Sequence, residues 1–268
     1  MRRFLQTAIF IYSVYVSGAF AQTANFTWVP AAGAGIPVCA PIALIFNDNS
    51  SGSPTSWSWN FGSGAIPQTS VQQNPGLVAF PSCGIYHVTL TLNNGSTYFQ
   101  DINIHCPPNA CFTATPPTAC LGTNFSFNSS CSQSTCPLTY LWDFGDGASS
   151  TQANPSHPYT DPNCYTAVLI VTDCNGCADD TTVQNAICIT QPPTFQITSS
   201  AATTCLSSIC VNFFCPTPTG GTPPFSYNWS FPGGVPSTSV AQNPTNICYN
   251  GAGAYSISLT VTDASGCS

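Results

Sequence analysis

The chain has 268 residues, of which 43% are hydrophobic and 12% aromatic, and it carries nine acidic residues against two Lys or Arg. This hydrophobic content is typical of a chain that folds. The net charge of −7 and the lack of a basic patch exclude nucleic-acid binding and electrostatic attachment to anionic lipid.

Residues 1–21 have the pattern of a secretory signal peptide. Arg2 and Arg3 precede a mostly apolar stretch, residues 4–20, and Ala19-Phe20-Ala21 fits a small-x-small cleavage site. The apolar stretch is too short for a stable membrane span. We therefore predict cleavage before Gln22, export, and no membrane insertion of the mature chain.

The mature chain then has no Lys and no Arg, and its nine acidic residues are all Asp. Ion pairs with Lys or Arg are therefore impossible. The 16 Cys form an even set, which in an exported protein predicts disulfide bonds rather than free thiols.

A stretch with aromatic residues at alternate positions occurs three times, roughly 85 residues apart. Period two predicts a β-strand whose rings share one face, and we predict that this face lies in a core. The three sets are Trp57, Trp59 and Phe61; Tyr140, Trp142 and Phe144; and Tyr227, Trp229 and Phe231.

Each copy is followed by Asn-Pro and then by a long alternating strand that opens with Tyr86, Tyr165 or Tyr255. The alternation predicts one face in the core and one in solvent. The main core residues that we predict are these three tyrosines and the central tryptophans, Trp59, Trp142 and Trp229.

These repeats, without a helical period, predict an all-β protein of three tandem β-sandwiches. We place the sandwiches at residues 22–107, 108–190 and 191–268. Pro-Pro in the linkers, residues 106–109 and 190–193, favours a stiff rod. The third sandwich lacks a counterpart of the last strand in the other two, so either a strand from elsewhere completes it or, as we prefer, the chain is a fragment.

Three cysteine pairs recur with nearly equal separations. In each pair the first Cys precedes the second strand and the other precedes the Tyr strand, and these two strands begin at the same end of such a sandwich. Closing a loop of this size stabilises a small core by roughly 4 kcal/mol. We predict one disulfide between the sheets of each sandwich: Cys39–Cys83, Cys120–Cys164 and Cys205–Cys248.

Further cysteines fall at the opposite end of the second sandwich, at Cys131, Cys136, Cys174 and Cys177. Two disulfides or a zinc site would fit them, and export favours disulfides, with the connectivity left open. Cys215 and Cys267 take similar places in the third sandwich. We expect those near the linkers to staple neighbouring sandwiches: Cys106, Cys111 and Cys188. Cys210 has no evident partner in the sequence.

Three segments of the second repeat resemble the motifs of the PKD (polycystic kidney disease) domain: residues 140–147 (YLWDFGDG), 154–159 (NPSHPY) and 165–173. The first and third repeats depart from it, with Ser63-Gly64 and Gly233-Gly234 in place of Asp-Gly. Residues 220–229 and 261–267 also resemble repeats of large surface adhesins of gliding Bacteroidetes.

The resemblance covers residues 23–268. It implies three tandem Ig-like sandwiches of the PKD type, the last one incomplete, in an extracellular multi-domain protein. Such domains space other domains and contact proteins or polysaccharides, and they are normally not catalytic.

The sequence offers little chemistry. His87, His105 and His157 are scattered, and no catalytic triad, metalloprotease motif or phosphate loop is present, so we predict no catalytic residue and no cofactor. Asp143 and Asp146 flank a turn, where they either accept backbone N–H bonds or bind calcium. Asp179-Asp180 is a second calcium candidate.

We therefore interpret the chain as a non-catalytic binding and spacer array of a cell-surface adhesin, whose partner is an extracellular protein or polysaccharide. One alternative is a subunit of an extracellular filament, which requires self-association. Another is the accessory part of a larger secreted hydrolase.

The composition makes a prediction about proteolysis. Trypsin should leave the mature protein intact even after reduction, alkylation and unfolding, because residues 22–268 contain no Lys or Arg. Intact-mass spectrometry before and after incubation measures this, and digestion by chymotrypsin controls for unfolding. Tryptic fragments would show that the mature chain is not the one we predict.

Overall fold

The computed structural model describes residues 21–33, 36–200, 209–251 and 253–268, so the predicted signal peptide lies outside them except for Ala21. All regular structure in these ranges is β-strand, which confirms the all-β prediction. The chain forms two compact units, one ending at Cys106 and one beginning at Pro107. Within the described ranges, no helix is long and apolar enough to cross a membrane.

The first unit is a sandwich of two antiparallel sheets. One sheet has the order β1–β2–β5 and the other β4–β3–β6–β7. Its strands are β1 (Phe26–Pro30), β2 (Ile42–Asp48), β3 (Trp57–Asn60), β4 (Thr69–Ser70), β5 (Gly76–Phe80), β6 (Gly84–Leu92) and β7 (Thr97–Ile104).

The second unit begins with a similar sandwich, with sheets β13–β10–β8 and β12–β11–β14–β15–β9. In it β9 runs parallel to β15, with Cys120 opposite Thr190. Its strands are β8 (Thr113–Thr115), β9 (Thr118–Cys120), β10 (Asn124–Asn128), β11 (Thr139–Asp143), β12 (Ser149–Ser150), β13 (Ser156–Pro158), β14 (Cys164–Thr172) and β15 (Ala178–Thr190).

The rest of the second unit contains shorter strands in three small sheets, β16–β18, β17–β22–β20 and β21–β19–β23. These strands are β16 (Thr198–Ser199), β17 (Ile209–Val211), β18 (Phe213–Phe214), β19 (Ser226–Ser230), β20 (Gly234–Val235), β21 (Thr238–Ser239), β22 (Ile247–Tyr249) and β23 (Ser258–Thr262).

Three separate hydrophobic cores form, one within each predicted sandwich range. Trp59, Trp142 and Trp229 are fully buried, and each stacks on the aromatic residue two positions later, with ring centroids 5.6 to 6.3 Å apart. The first ring of each predicted aromatic face is only partly buried, because it lies at the margin of its core: Trp57, Tyr140 and Tyr227.

Each buried tryptophan has its polar atom satisfied by the segment before Asn-Pro. The indole Nε1–H donates at 2.8 to 2.9 Å to one backbone carbonyl oxygen. The acceptors for Trp59, Trp142 and Trp229 are the carbonyls of Gln72, Gln152 and Ala241, respectively. Pairing this group inside a core avoids the cost of burying an unsatisfied donor.

The Asn of each Asn-Pro also has a structural role. Its side-chain oxygen accepts, at 2.9 Å, the backbone N–H of the residue that ends a core strand or comes directly after it. The pairs are Asn74 with Asp48, Asn154 with Ser129 and Asn243 with Cys215. Asn-Pro therefore ties the loop between the sheets to the end of a core strand.

Each Tyr that was predicted to open a long strand donates its hydroxyl hydrogen to the backbone carbonyl four residues earlier. This is the tyrosine corner of Ig-like sandwiches. Tyr86 and Tyr165 are buried, but Tyr255 is 37% exposed, so its prediction as a core residue is wrong. Because β23 begins only at Ser258, Tyr255 precedes the strand and contacts the ring of Tyr249 instead.

Replacing Asn154 by Ala should destabilise the second sandwich by about 1–3 kcal/mol, because the Ser129 N–H loses its acceptor in a partly buried site. Hydrogen–deuterium exchange over residues 125–132 measures the local loss, and denaturant unfolding measures the global one. Asn154→Asp keeps an acceptor oxygen and should recover most of the stability. Equal protection in wild type and Asn154→Ala would contradict the assigned role.

Candidate functional site

The turn that follows β11 is held by its two carboxylates. Asp143 Oδ1 accepts the N–H of Gly145 at 2.9 Å, and Asp146 Oδ1 accepts the N–H of Ala148 at 3.0 Å. Gly145 has a φ of 81°, and a Cβ there would collide with the carbonyl oxygen of Thr166. Glycine is therefore required at this close approach.

Asp146 also pairs with His157 of the Asn-Pro segment. Its Oδ2 lies 2.7 Å from His157 Nε2. The imidazole stacks on Phe144, with ring centroids 4.3 Å apart and an interplanar angle of 8°. Partial burial raises the pKa of Asp146, but hydrogen bonds from His157 and Ala148 and the His157 charge outweigh it and hold the pKa below its ordinary value.

This geometry favours a structural role for the two aspartates. Both carboxylate oxygens of Asp146 are hydrogen-bonded to groups of the protein, and one carboxylate oxygen of Asp143 is hydrogen-bonded to the N–H of its own turn. Among the described residues, no three His, Cys, Asp or Glu side chains come together as a group that could hold a metal ion. Calcium at Asp143 and Asp146 stays a prediction.

Two buried carboxylates were missed by sequence reasoning. Asp173 and Asp263 are each 6% exposed, and each Oδ1 accepts two backbone N–H groups of the turn that follows β14 or β23. The signal that could have revealed them is the repeated pattern Asp-x-x-Gly-Cys, residues 173–177 and 263–267.

The predicted disulfides between the sheets are wrong. Cys83 bonds to Cys106 and Cys164 to Cys188, each linking the Tyr strand to the last strand of the same sheet. The reason is that the last strand separates the predicted partners. Cys39 pairs in parallel with His105, and Cys120 lies on β9 beside β15, so neither reaches the Tyr strand.

The third predicted pair also differs, because Cys248 bonds to Cys210, directly opposite on β17. Cys205 lies outside the described residues. Cys215 is buried and has no disulfide within the described part of the chain, contrary to prediction. Burial raises the pKa of its thiol.

In the predicted end cluster, Cys136 bonds to Cys174, but Cys131 bonds to Cys111. Cys177 and Cys39 are also disulfide-bonded. Oxidised sulfur is not a thiolate ligand, so this arrangement is incompatible with the zinc alternative. The cysteines near the linkers do not join neighbouring sandwiches. Each forms a disulfide within its own sandwich, as is the case for Cys106, Cys111 and Cys188.

A different bond joins the second sandwich to the small sheets that follow it within the second unit. Cys120, on β9 of the second sandwich, bonds to Cys267, in the turn after β23, with Cα atoms 5.5 Å apart and 147 positions between them in sequence. The hydroxyl of Thr190 lies 2.9 Å from Cys267 Sγ. We call this bond and the residues that hold it the junction.

Asp263 positions the cysteine of the junction. Its Oδ1 accepts the N–H of Cys267 at 2.8 Å, and its Oδ2 accepts the N–H of Thr222 at 2.8 Å. Burial by itself raises the pKa of Asp263, but the N–H groups of the surrounding backbone outweigh it and hold the pKa below its ordinary value. A carboxylate without a cation thus anchors the turn.

The linker between the second sandwich and these small sheets is part of the junction. Thr194 and Thr219 exchange two backbone hydrogen bonds, at 2.7 and 2.9 Å. A Cβ on Gly220 would lie 3.1 Å from the carbonyl oxygen of Pro192. The linker, the loop at residues 217–222 and the turn at residues 263–267 are therefore held together by hydrogen bonds as well as by the disulfide.

Comparison with known families agrees with this architecture. Two family models, both described as PKD domain, match residues 21–97 and 105–188, which together make up more than half of the chain. The chain therefore belongs to the PKD domain family.

Curated relatives share single domains with it. Collagenase ColA of Bacillus cereus is 41% identical over 56 residues, which are 21% of this chain and 6% of that protein. The pre-pro-metalloprotease PrtV of Vibrio cholerae is 44% identical over 55 residues, 20% of this chain and 6% of that protein. The chain thus matches only a small part of these relatives. The crystallised PKD1 domain of Vibrio anguillarum Epp is 33% identical and matches 31% of this chain and 95% of that domain, with a TM-score of 0.27.

Acid should weaken the second sandwich through Asp146. Because its folded pKa lies below 3.8, the stabilisation is complete above that pH and is lost as the pH falls below it. Asp146→Asn should cost about 1 kcal/mol at pH 6 and should unfold with a flatter pH dependence than wild type between pH 6 and 3. Thermal unfolding midpoints measure both.

A matched control exists in the first unit. His87 and Asp101 are also 2.7 Å apart, but their side chains are 57% and 58% exposed, so Asp101→Asn should have little effect. Equal losses from the two substitutions would contradict the role given to burial around Asp146.

Proposed function

We propose that the chain is a non-catalytic extracellular array that spaces and presents binding surfaces, as part of a larger cell-surface adhesin. The observation that carries this proposal is the junction. A disulfide between neighbouring sandwiches contributes to neither core. Its use is to fix the position of one sandwich on the next.

The free energy contributed by this disulfide supports its role in fixing one sandwich on the next. Domains joined only by a linker move relative to one another unless their interface is large and apolar. Cys120–Cys267 closes a loop of 147 positions, for which the chain-entropy model gives roughly 5 kcal/mol of stabilisation. The hydrogen bonds of the linker to the loop at residues 217–222 restrict the remaining rotation.

The oxidised cysteines fit an extracellular location. Disulfides persist in oxidising compartments, and 14 of the described cysteines are disulfide-bonded. Family membership points the same way, since relatives with this domain include a collagenase and a pre-pro-metalloprotease. We further propose that the partner bound by the array is an extracellular protein or polysaccharide.

A second candidate function has its own observation in favour. In the curated relatives the matched segment is a small part of a protein named as a collagenase or a metalloprotease. The chain would then be the accessory region of a secreted hydrolase, with catalysis outside the sequence described here.

Location distinguishes the two functions. Antibodies raised against residues 22–268 should label intact producing cells if the parent protein is an adhesin. Recovery of the protein in the culture medium together with a proteolytic activity would instead favour the hydrolase.

The junction gives a direct test of the spacer role. Replacing both Cys120 and Cys267 by Ser should broaden the distance distribution in small-angle X-ray scattering and should expose the linker at residues 190–194 to non-specific proteases, because hydrogen bonds alone then hold it. The control is Cys210→Ser with Cys248→Ser, which removes a disulfide inside the third sandwich and should leave the junction closed.

An unchanged distribution after loss of Cys120–Cys267 would refute the spacer role of this bond. An apparent molecular mass, from forward scattering divided by concentration, that rises with protein concentration in wild type would instead favour the filament alternative.

A further inference from the structure

A groove runs along one side of the first sandwich, where the edge strands of its two sheets lie next to each other. It is an open groove between β1 and β7, the edge strands of the two sheets, with a volume of about 420 Å³. Its lining is Asn25, Phe26, Thr27, Trp28, Tyr98 and Gln100. This volume is in the range of small-ligand sites.

The groove combines aromatic rings with neutral polar groups. Phe26 is buried, and the ring of Tyr98 stands edge-on to it at 5.2 Å while staying 36% exposed. Trp28 is partly buried, and its Nε1–H donates to Gln100 Oε1 at 3.1 Å. That bond fixes the indole and orients the Gln100 amide, whose nitrogen can donate to a ligand.

We propose that this groove binds a neutral glycan chain. The proposal deepens the proposed function, because it names the ligand class of one surface in the array. The rings of Trp28 and Tyr98 offer apolar faces for the C–H face of a sugar. Asn25 and Gln100 offer amide groups that pair with sugar hydroxyls.

Charge argues for a neutral ligand. The lining contains no ionisable side chain except the Tyr98 hydroxyl. Residues 22–268 contain nine Asp and no Lys or Arg, so an acidic polysaccharide would be repelled and would find no cationic partner.

The contacts across the groove argue against a peptide strand as the occupant. Peptides that extend a sheet need an open strand edge. Here the Trp28 side chain on β1 donates to Gln100 on β7, and just before these strands the N–H of Ala24 donates to Ser96 Oγ at 3.0 Å. A strand added between them would have to break both bonds.

Affinity electrophoresis of the mature chain tests the proposal. The protein should come from a host that does not glycosylate Asn, because Asn25-Phe26-Thr27 is an acceptor triplet within the groove. The probes are hydroxyethylcellulose, laminarin and galactomannan, with alginate as the acidic comparison. We expect retardation by at least one neutral probe and none by alginate.

Variants then locate the site. Tyr98→Ala and Gln100→Ala should each weaken the retardation roughly tenfold, as expected when a central contact of a binding site is removed. Phe99→Ala is the matched control, because this ring is 59% exposed on the same strand but on its opposite face. It should bind as wild type does. Thermal unfolding of each variant verifies that the sandwich is intact.

Three results would overturn the groove as a glycan site: no retardation by any neutral probe, preference for alginate, or loss in Phe99→Ala without loss in Tyr98→Ala. The scattering experiment on Cys120 and Cys267 does not involve the groove. A closed junction without glycan binding would therefore reject this inference and leave the spacer role standing.

Discussion

Each sandwich depends on one buried tryptophan whose single polar atom is paired. Burying such a ring supplies much of the apolar surface that a small core needs, and the hydrogen bond from Nε1 avoids an unsatisfied donor within it. The bond also fixes the loop before Asn-Pro, because its acceptor is the backbone of that loop. Packing and chain direction are thus set by the same residue.

The scarcity of cations shapes the rest of the polar structure. With Lys and Arg absent from residues 22–268, carboxylates are held by backbone N–H groups, as at Asp173 and Asp263, or by a histidine, as at Asp146. A carboxylate that accepts several N–H bonds can stay ionised while buried. Turns are therefore anchored without ion pairs to Lys or Arg, and disulfides provide the remaining cross-links.

Local patterns in the sequence were sufficient for the aromatic strands and for two of the three strands predicted to open with Tyr. The alternation that starts at Tyr86 or Tyr165 predicts the buried faces of β6 and β14, because period two is a property of the strand itself. It failed at Tyr255, where the strand begins three residues later. The repeat length of roughly 85 residues predicted the sandwich class, and the resemblance of residues 140–173 to PKD motifs added the family.

Cysteine pairing and the groove could not be predicted in the same way. Both depend on which strands are neighbours across the sandwich, and equal spacing along the chain does not contain that information. The parallel pairing of β9 with β15 decides that Cys120 cannot reach Cys164, yet nothing near Cys120 in the sequence indicates it. The groove likewise needs β1 and β7 side by side, although Trp28 and Gln100 are 72 positions apart.

The bond between Cys120 and Cys267 also determines how the protein would respond to being pulled from its ends. Tension that reaches residue 120 passes through the sulfur bridge to residue 267, so the chain between them carries none of the load. Those residues, if extended, would add roughly 500 Å of length. The strands from β10 to β23, which lie between the two cysteines, are therefore shielded from the force while the bridge is intact, and a tether would be nearly inextensible in this region.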